Sequence, residues 1–250
     1  MEPDELQQAA ADRIRRAASV VVITGAGVSA ESGIDTYRGA GGLWEKHDVN
    51  EVATATALRR DPEKVWRFLL LLREHVMAAR PNPAHRAIAA LQEHVACVQV
   101  ITQNIDGLHQ AAGSRTVLEI HGNVREARDE RTGEIHALEA LDLTRLPPAC
   151  PRTGRVLRPN VLYFEEEYDP LIMGVASRWV RAAELILVVG TSGMVPTPYF
   201  LAWEGKSAGA VVIDVNLDPS TPMLTFGSEL ADLFLAGKAG DVLPRIVDRL

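Results

Sequence analysis

The 250-residue sequence predicts an α/β fold, a doubly wound parallel sheet with a smaller module made by two insertions. Three observations predict it. Five short apolar runs, VVVIT, VQVIT, TVLEI, LILVV and VVIDV, are rich in β-branched residues, as strands buried on both faces are. Helix-length segments lie between most of them, the alternation that builds a parallel sheet. Each run also stops at a small or polar cluster. These clusters are Gly25-Ala26-Gly27, Gln103-Asn104-Ile105-Asp106, His121-Gly122-Asn123, Gly190-Thr191-Ser192-Gly193 and Asn216. Ligands of open parallel sheets lie beyond the carboxyl ends of the strands, so the five clusters describe one composite site.

The elements follow in order. Residues 4–18 read as an amphipathic helix, and VVVIT then breaks at the glycines. From Ser29 to about Pro83 no strong strand is expected. EKVWRFLLLLREHVMAA, after Asp61-Pro62, reads as a helix that Pro81-Asn82-Pro83 closes, and HRAIAALQEHV reads as the next. Strand–loop–strand character returns over 97–122. Residues 124–158 are charged, contain Pro and Gly, and show little apolar periodicity, so a small irregular module is expected there. The α/β pattern resumes at Arg158 and ends in the helix DVLPRIVDRL. The expected organisation is a single catalytic-size domain over 1–250. Its large Rossmann-like part spans about 1–40, 83–123 and 158–250. Its small module spans about 41–82, which is helical, and 124–157.

Composition narrows the function. The net charge of -7 gives no electrostatic footprint for nucleic acid. An acidic surface mildly favours basic partners such as Lys-rich tails, but ordinary solubility is the better explanation of it. Cys97 and Cys150 do not make a disulfide framework, and Cys97, in the approach to VQVIT, is expected in the core. FLLLL at 68–72 is far too short to span a bilayer, and the charged N-terminus lacks a signal-peptide hydrophobic region. The expectation is a cytoplasmic protein with no membrane association.

Gly25-Ala26-Gly27-Val28-Ser29-Ala30 has the G-x-G-x-x-A form of a dinucleotide loop directly after a strand. Alone, the same residues describe a plain strand–helix turn as well. A nicotinamide dehydrogenase also places an acid about 20 residues on, at the end of a second strand. Asp48 has the spacing, but no strand precedes it.

The longer run GAGVSAESGIDTYRG at 25–39 changes the picture. With TQNIDGLH at 102–109, LEIHGN at 118–123, RPNVLYFEE at 158–166, GTSGMV at 190–195, VNLD at 215–218 and GKAGDVLP at 237–244, the chain resembles the sirtuin family over nearly its whole length. The resemblance implies an enzyme that consumes NAD, removes acyl groups from protein lysines, and releases nicotinamide and O-acyl-ADP-ribose. It implies that His121 is the general base for a ribose hydroxyl, a task an imidazole suits near neutral pH. It implies that Asn104 and Asp106 orient a water, the ribose and the nicotinamide amide, and that Gln103 touches a ribose. Gly25, Ala26, Gly27, Ser29, Ile34, Asp35, Tyr37, Arg38 and Ile105 would line the cofactor loop. Gly190, Thr191, Ser192, Asn216, Leu217 and Ala239 would hold the phosphate and the adenosine. Val161, Leu162 and Phe164 on one side, and Gly193, Met194 and Val195 on the other, would pair with an acylated peptide as an added strand. Two further readings of this fold stay open: NAD hydrolysis or ADP-ribosyl transfer, and non-catalytic sensing of NAD or ADP-ribose. The retained His121, Asn104 and Asp106 argue against a sensor.

Four departures stand out. Asp35 replaces a usual Pro, removing a fixed φ and adding a charge. Glu165 replaces the usual Gly after Phe164. Of the four cysteines that hold a structural zinc in most sirtuins, the corresponding positions are Asp129, Thr132, Cys150 and Thr153. One thiol of four does not make a tetrahedral zinc site, and Asp129, Cys150 and His136 together are a poor substitute, so no metal is expected. Finally, the Tyr-x-x-Arg pair of succinyl-preferring members corresponds to Leu69 and Leu72. An apolar floor penalises an acyl carboxylate, so neutral acyl groups are expected.

Overall fold

The computed structural model describes residues 2–34, 47–193, 195–217 and 230–250. Asp35, Tyr37, Arg38 and Met194 lie outside the described residues. The main sheet contains β1 (Ser19–Thr24), β2 (Cys97–Thr102), β3 (Val117–Glu119), β7 (Leu185–Val189), β8 (Val211–Asn216) and β9 (Leu233–Ala236). Their order is β3-β2-β1-β7-β8-β9, and every neighbouring pair is parallel. The order reverses between β1 and β7. That is the switch point at which doubly wound sheets open a crevice.

Both sheet faces are covered, as the unbroken apolar strands require. Val20 and Val22 face α1 (Pro3–Arg16), α5 (Pro83–Ala90) and α9 (Ala239–Val247), packing with Ile14, Ile88 and Ile246. Val21 and Ile23 face the other way, toward α7 (Pro170–Ala182) and α8 (Thr197–Ser207), packing with Ala176, Val180 and Leu201. The alternation along one strand thus separates two hydrophobic layers.

Short helices α2 (Val49–Val52) and α3 (Ala55–Arg60) precede the long α4 (Pro62–Ala78). Asp48 is the N-cap of α2, accepting from the Asn50 amide, so the acid at dinucleotide spacing has a helix to cap and no ribose strand. Residues 122–161 differ from the expected irregular module. They form an antiparallel sheet in the order β5-β4-β6, from β4 (Gly122–Arg128), β5 (Ile135–Ala137) and β6 (Arg158–Val161). Backbone ladders order it, and polar pairs such as Asn160 Nδ2 donating to Glu126 Oε2 at 2.8 Å take the place of apolar alternation. Trp66 and Leu69 of α4 share a core with Val124, Ala127, Leu138 and Leu157, and Trp66 Nε1 donates to the Leu157 carbonyl at 3.2 Å.

Cys97 is exposed rather than in the core. It is the first residue of β2, at the amino edge of the sheet, where burial begins only at Val98. Asp214 is the reverse case. It is a fully buried carboxyl in β8 whose two oxygens have no hydrogen-bond partner among the described residues, and burial pushes its pKa up to about 7. No helix among the described residues is long and apolar enough to cross a membrane.

Candidate active site

The two glycine loops follow β1 and β7, the strands flanking the switch point, and they touch. Gly27 N donates to the Gly190 carbonyl at 2.9 Å, and Gly190 N donates to the Val215 carbonyl at 3.1 Å. A Cβ on Gly27 would lie 2.7 Å from the Gly190 oxygen. Gly190 has φ 59°, and its own Cβ would lie 2.5 Å from the Val28 nitrogen. Backbone-to-backbone contact of this kind admits no side chain. Asn216 at the end of β8 donates to the Thr191 carbonyl at 2.6 Å, and Gln103 Nε2 donates to Thr191 Oγ1 at 3.1 Å. Four strand ends are therefore tied into one edge. Ser192 and Leu217 are exposed on it, and Ala239 is buried at the start of α9.

Beneath this edge lies a buried polar network. Ser29 Oγ donates to Asp106 Oδ2 at 2.7 Å, and Asn104 Nδ2 donates to Ser29 Oγ at 3.0 Å and to the Gly25 carbonyl at 3.1 Å. The other Asp106 oxygen accepts from the Leu108 amide at 2.9 Å, just ahead of the short α6 (Leu108–Ala111). A small cavity opens beside the network, lined by Ala26, Ser29, Ile34, Leu72, Val76, Asn104, Ile105 and Asp106. It joins amide-pairing groups to an apolar wall, which suits a flat carboxamide ring.

Sequence reasoning missed the support under this network. His85 Nε2 lies 3.4 Å from Ser29 Oγ, and His109 Nε2 lies 2.9 Å from Thr24 Oγ1. Thr24 Oγ1 in turn donates to Thr102 Oγ1 at 2.8 Å, and Thr102 Oγ1 accepts the Asn104 amide. Burial pushes His85 down to about 4, against the pull of Asp106, and His109 to about 3. Both rings are neutral near pH 7. The signal in the sequence was a threonine closing two adjacent strands, where Thr24 and Thr102 prove to be register partners. Glu31 was missed as well. Its Oε2 accepts the Gly240 amide at 2.8 Å and joins the glycine loop to the first turn of α9.

His121 stands between β3 and β4, at the cleft edge. Its Nε2 lies 2.9 Å from Tyr168 Oη. Burial pushes its pKa down to about 4, and a backbone contact with Gln103 opposes that shift. Neutral at physiological pH, it holds a free base for proton abstraction. The His121 carbonyl accepts the Leu162 amide at 2.9 Å, and Val161 pairs with Gly122, so this side of the cleft is one backbone ribbon. Phe164, 42% exposed, pairs with Thr54 through a parallel bridge, and Gly193 and Val195 stand half-buried after β7. Glu165 has the left-handed φ of 73° that explains a glycine at this position. Its Oε2 accepts from Thr56 N at 3.0 Å and Thr56 Oγ1 at 2.7 Å, which offsets the strain. On α4 the two leucines separate. Leu72 lines the cavity, whereas Leu69 is buried in the core with Trp66.

In the small module, Arg155 donates Nε and Nη2 to Asp129 Oδ2 at 2.9 and 2.6 Å, which holds the Asp129 carboxyl below the usual range. Asp129 Oδ1 accepts the amides of Arg131 and Thr132. Across from it, Cys150 N donates to the Arg155 carbonyl at 2.7 Å and Gly154 N to the Cys150 carbonyl at 2.8 Å. One arginine thus bridges two tight turns. Glu134, His136 and Cys150 place one donor atom each within 4.8 Å of one another, but Glu134 is also ion-paired to Arg152. With Asp129 committed to Arg155, these groups do not fit a closed four-ligand zinc site.

Comparison with known proteins agrees with this geometry. The Sir2 family model matches residues 25–197. The NAD-dependent protein deacylase 2 of Pyrobaculum aerophilum is 43% identical over 242 residues, covering 96% of this chain and 94% of its own. A Sir2 homologue mutant solved with ADP-ribose superposes with a TM-score of 0.87 at 39% identity, covering 96% of this chain and 94% of that one. A Sir2 mutant solved with deacetylated p53 peptide and 3′-O-acetyl-ADP-ribose superposes with a TM-score of 0.83 at 30% identity, covering 95% and 96%. A parallel sheet whose two glycine loops meet at its switch point, beside an Asn–Ser–Asp network and a strand-end histidine, places this chain in the Sir2 family.

Proposed function

We propose that the protein is an NAD-dependent protein-lysine deacylase acting on acylated peptides. The observation that carries the reading is the single sheet edge that holds the glycine loops, the Ser29–Asn104–Asp106 network and neutral His121 together. Relatives named as deacylases, and the neighbour holding both peptide and acetyl-ADP-ribose, support it. NAD lies with its phosphates on the glycine loops, its adenosine ribose toward Asn216 and Leu217, and its nicotinamide toward the cavity beside Asn104, Ile105 and Asp106. Asp35, Tyr37 and Arg38 belong to the same cofactor loop. The peptide pairs between Val161–Phe164 and Gly193–Val195. The acyl oxygen attacks the ribose carbon that carries nicotinamide, and nicotinamide leaves. His121 then takes the proton of a ribose hydroxyl, whose oxygen attacks the acyl carbon, and water completes release. Incubation with NAD, with and without an acetyl-lysine peptide, tests this. Peptide-dependent nicotinamide release with loss of the acetyl mass is expected. Peptide-independent release, or ADP-ribose mass gained by protein, overturns it.

The acyl group is neutral on this reading. Leu69 and Leu72 stand where succinyl-preferring members carry Tyr and Arg, and neither offers a cation to an acyl carboxylate. Acetyl should leave one peptide sequence faster than succinyl, as competition assays by mass spectrometry would record; the reverse order overturns the reading.

The enzyme needs no zinc. The Asp129–Arg155 ion pair and the shared core of Trp66, Leu138 and Leu157 do the work of a metal in joining the turns. Purified protein should carry substoichiometric zinc by elemental analysis, and chelator should leave its thermal midpoint unchanged. Arg155→Gln, which strands a buried carboxylate, should lower that midpoint.

A further inference from the structure

We propose that Glu165 is a positioning residue for the acylated peptide, tying the peptide-binding ribbon 161–164 to α3. This rests on the reading of that ribbon as one edge of the peptide strand. Among the described residues, Glu165 is the only one other than glycine with a positive φ. It stands third in a four-residue turn that Glu166 N closes on the Tyr163 carbonyl at 3.2 Å. A positive φ at that place favours glycine, so a long acidic side chain is kept there against the preference of the backbone. Strain of this kind persists only where surrounding contacts hold it, and it clusters at ligand clamps.

Phe164, the residue before it, turns both backbone groups to the helical insertion. Its N–H donates to the Ala53 carbonyl at 3.0 Å, and its carbonyl accepts the Ala55 amide at 2.9 Å. Glu165 extends this ladder by one step with its side chain, since Oε2 takes both the amide and the hydroxyl of Thr56, the residue after Ala55. Arg59 Nη2 donates to the same hydroxyl at 3.1 Å. The Thr56 bonds, with Arg59 beyond them, hold the Glu165 carboxyl below the usual carboxylate range. The neighbouring Glu166 has another partner. It pairs with Arg158, whose Nη2 also donates to the Val161 carbonyl at 3.1 Å. The two acids therefore anchor the turn to different elements, Glu166 to β6 and Glu165 to α3.

An added strand gains its affinity from main-chain bonds along an edge. An edge ordered before the peptide docks loses less freedom on binding. Loss of the Glu165 carboxylate removes the side-chain part of the hold at the end of that edge, while the cofactor loops and His121 keep their own contacts.

Glu165→Gly and Glu165→Ala separate this role from folding. Both remove the carboxylate, but only Gly relieves the left-handed backbone, so the Ala variant should melt lower than the Gly variant. With acetyl-lysine peptide at saturating NAD, both should raise the peptide KM about three- to tenfold and leave kcat and the NAD KM at native values. Thr56→Val loosens the same tie from its other end. It should raise the peptide KM of the native enzyme but add nothing to Glu165→Gly. A native peptide KM in the Gly variant overturns the proposal, as does a KM that rises only in the less stable Ala variant. A matching rise in the NAD KM also overturns it, because the whole cleft would then have shifted. Nicotinamide release that ignores peptide in the native enzyme is a different failure: it removes the deacylase reading, and this proposal with it.

Discussion

His121→Ala should lower the deacylation rate by about 10²–10⁴-fold while peptide-dependent nicotinamide exchange continues. The split follows from the order of the bonds. Nicotinamide leaves when the acyl oxygen attacks, and no proton is removed at that stage. The next step needs a base, and His121 is the strand-end imidazole at the cleft edge. The pH dependence has a definite sign. Burial sets the imidazole near 4, so the neutral base form exists above that value and is lost as pH falls through it. The acid limb of the single-turnover profile should therefore lie well below the 6.5 of a solvated histidine. A limb at or above 6.5 contradicts the assignment, as does a His121→Ala enzyme that deacylates normally.

Gly190→Ala should destabilise the fold by about 2–5 kcal/mol and abolish measurable NAD binding. A left-handed backbone costs an alanine about 1–2 kcal/mol. Its Cβ would also press within 2.8 Å of the Gly27 carbon and 2.5 Å of the Val28 nitrogen, and overpacking adds about 1–3 kcal/mol. Both partners are main chain, so neither yields by changing a rotamer. The loops can part only by breaking the Gly27–Gly190 hydrogen bond that closes the phosphate edge. Chemical denaturation and NAD titration measure the two effects. Gly209→Ala is a useful contrast, since it also has positive φ but its Cβ meets nothing within 4 Å. It should cost only the backbone term and leave NAD binding intact.

The sheet was legible because β1, β2, β7 and β8 are largely buried on both faces and so consist mostly of Val, Ile and Leu, while β3, half-buried at the edge, keeps enough of that character to be read. β9 was not, because Leu233–Ala236 is a four-residue edge strand with alternating burial and too little periodicity to stand out. The small sheet was illegible for a related reason. Its strands carry Arg125, Glu126 and Arg128, and pairing rather than apolar patterning orders them. Cys97 was misplaced because an apolar run does not tell where its strand enters the core. At the site, residues that act along one strand end were readable. Pairs joined only by folding were not: Tyr168 meets His121 across 47 positions, and Arg155 meets Asp129 across 26. That an aspartate stands at position 129 can be read from sequence, but the guanidinium that pairs with it cannot.

Asp214 makes folding a proton-uptake reaction near neutrality. Its carboxyl keeps a proton to about 7 in the folded chain and to 3.8 in the unfolded one. Between those values the native state binds the extra proton, so stability declines as pH rises and levels off above 7. The full swing is on the order of 4 kcal/mol, a large fraction of a domain's total. The strand that pays it is β8, which two residues later presents Asn216 to the cofactor edge. A rise in pH from about 4 to 7 should therefore loosen the adenosine end of the cleft, and bound NAD should in turn offset part of that loss.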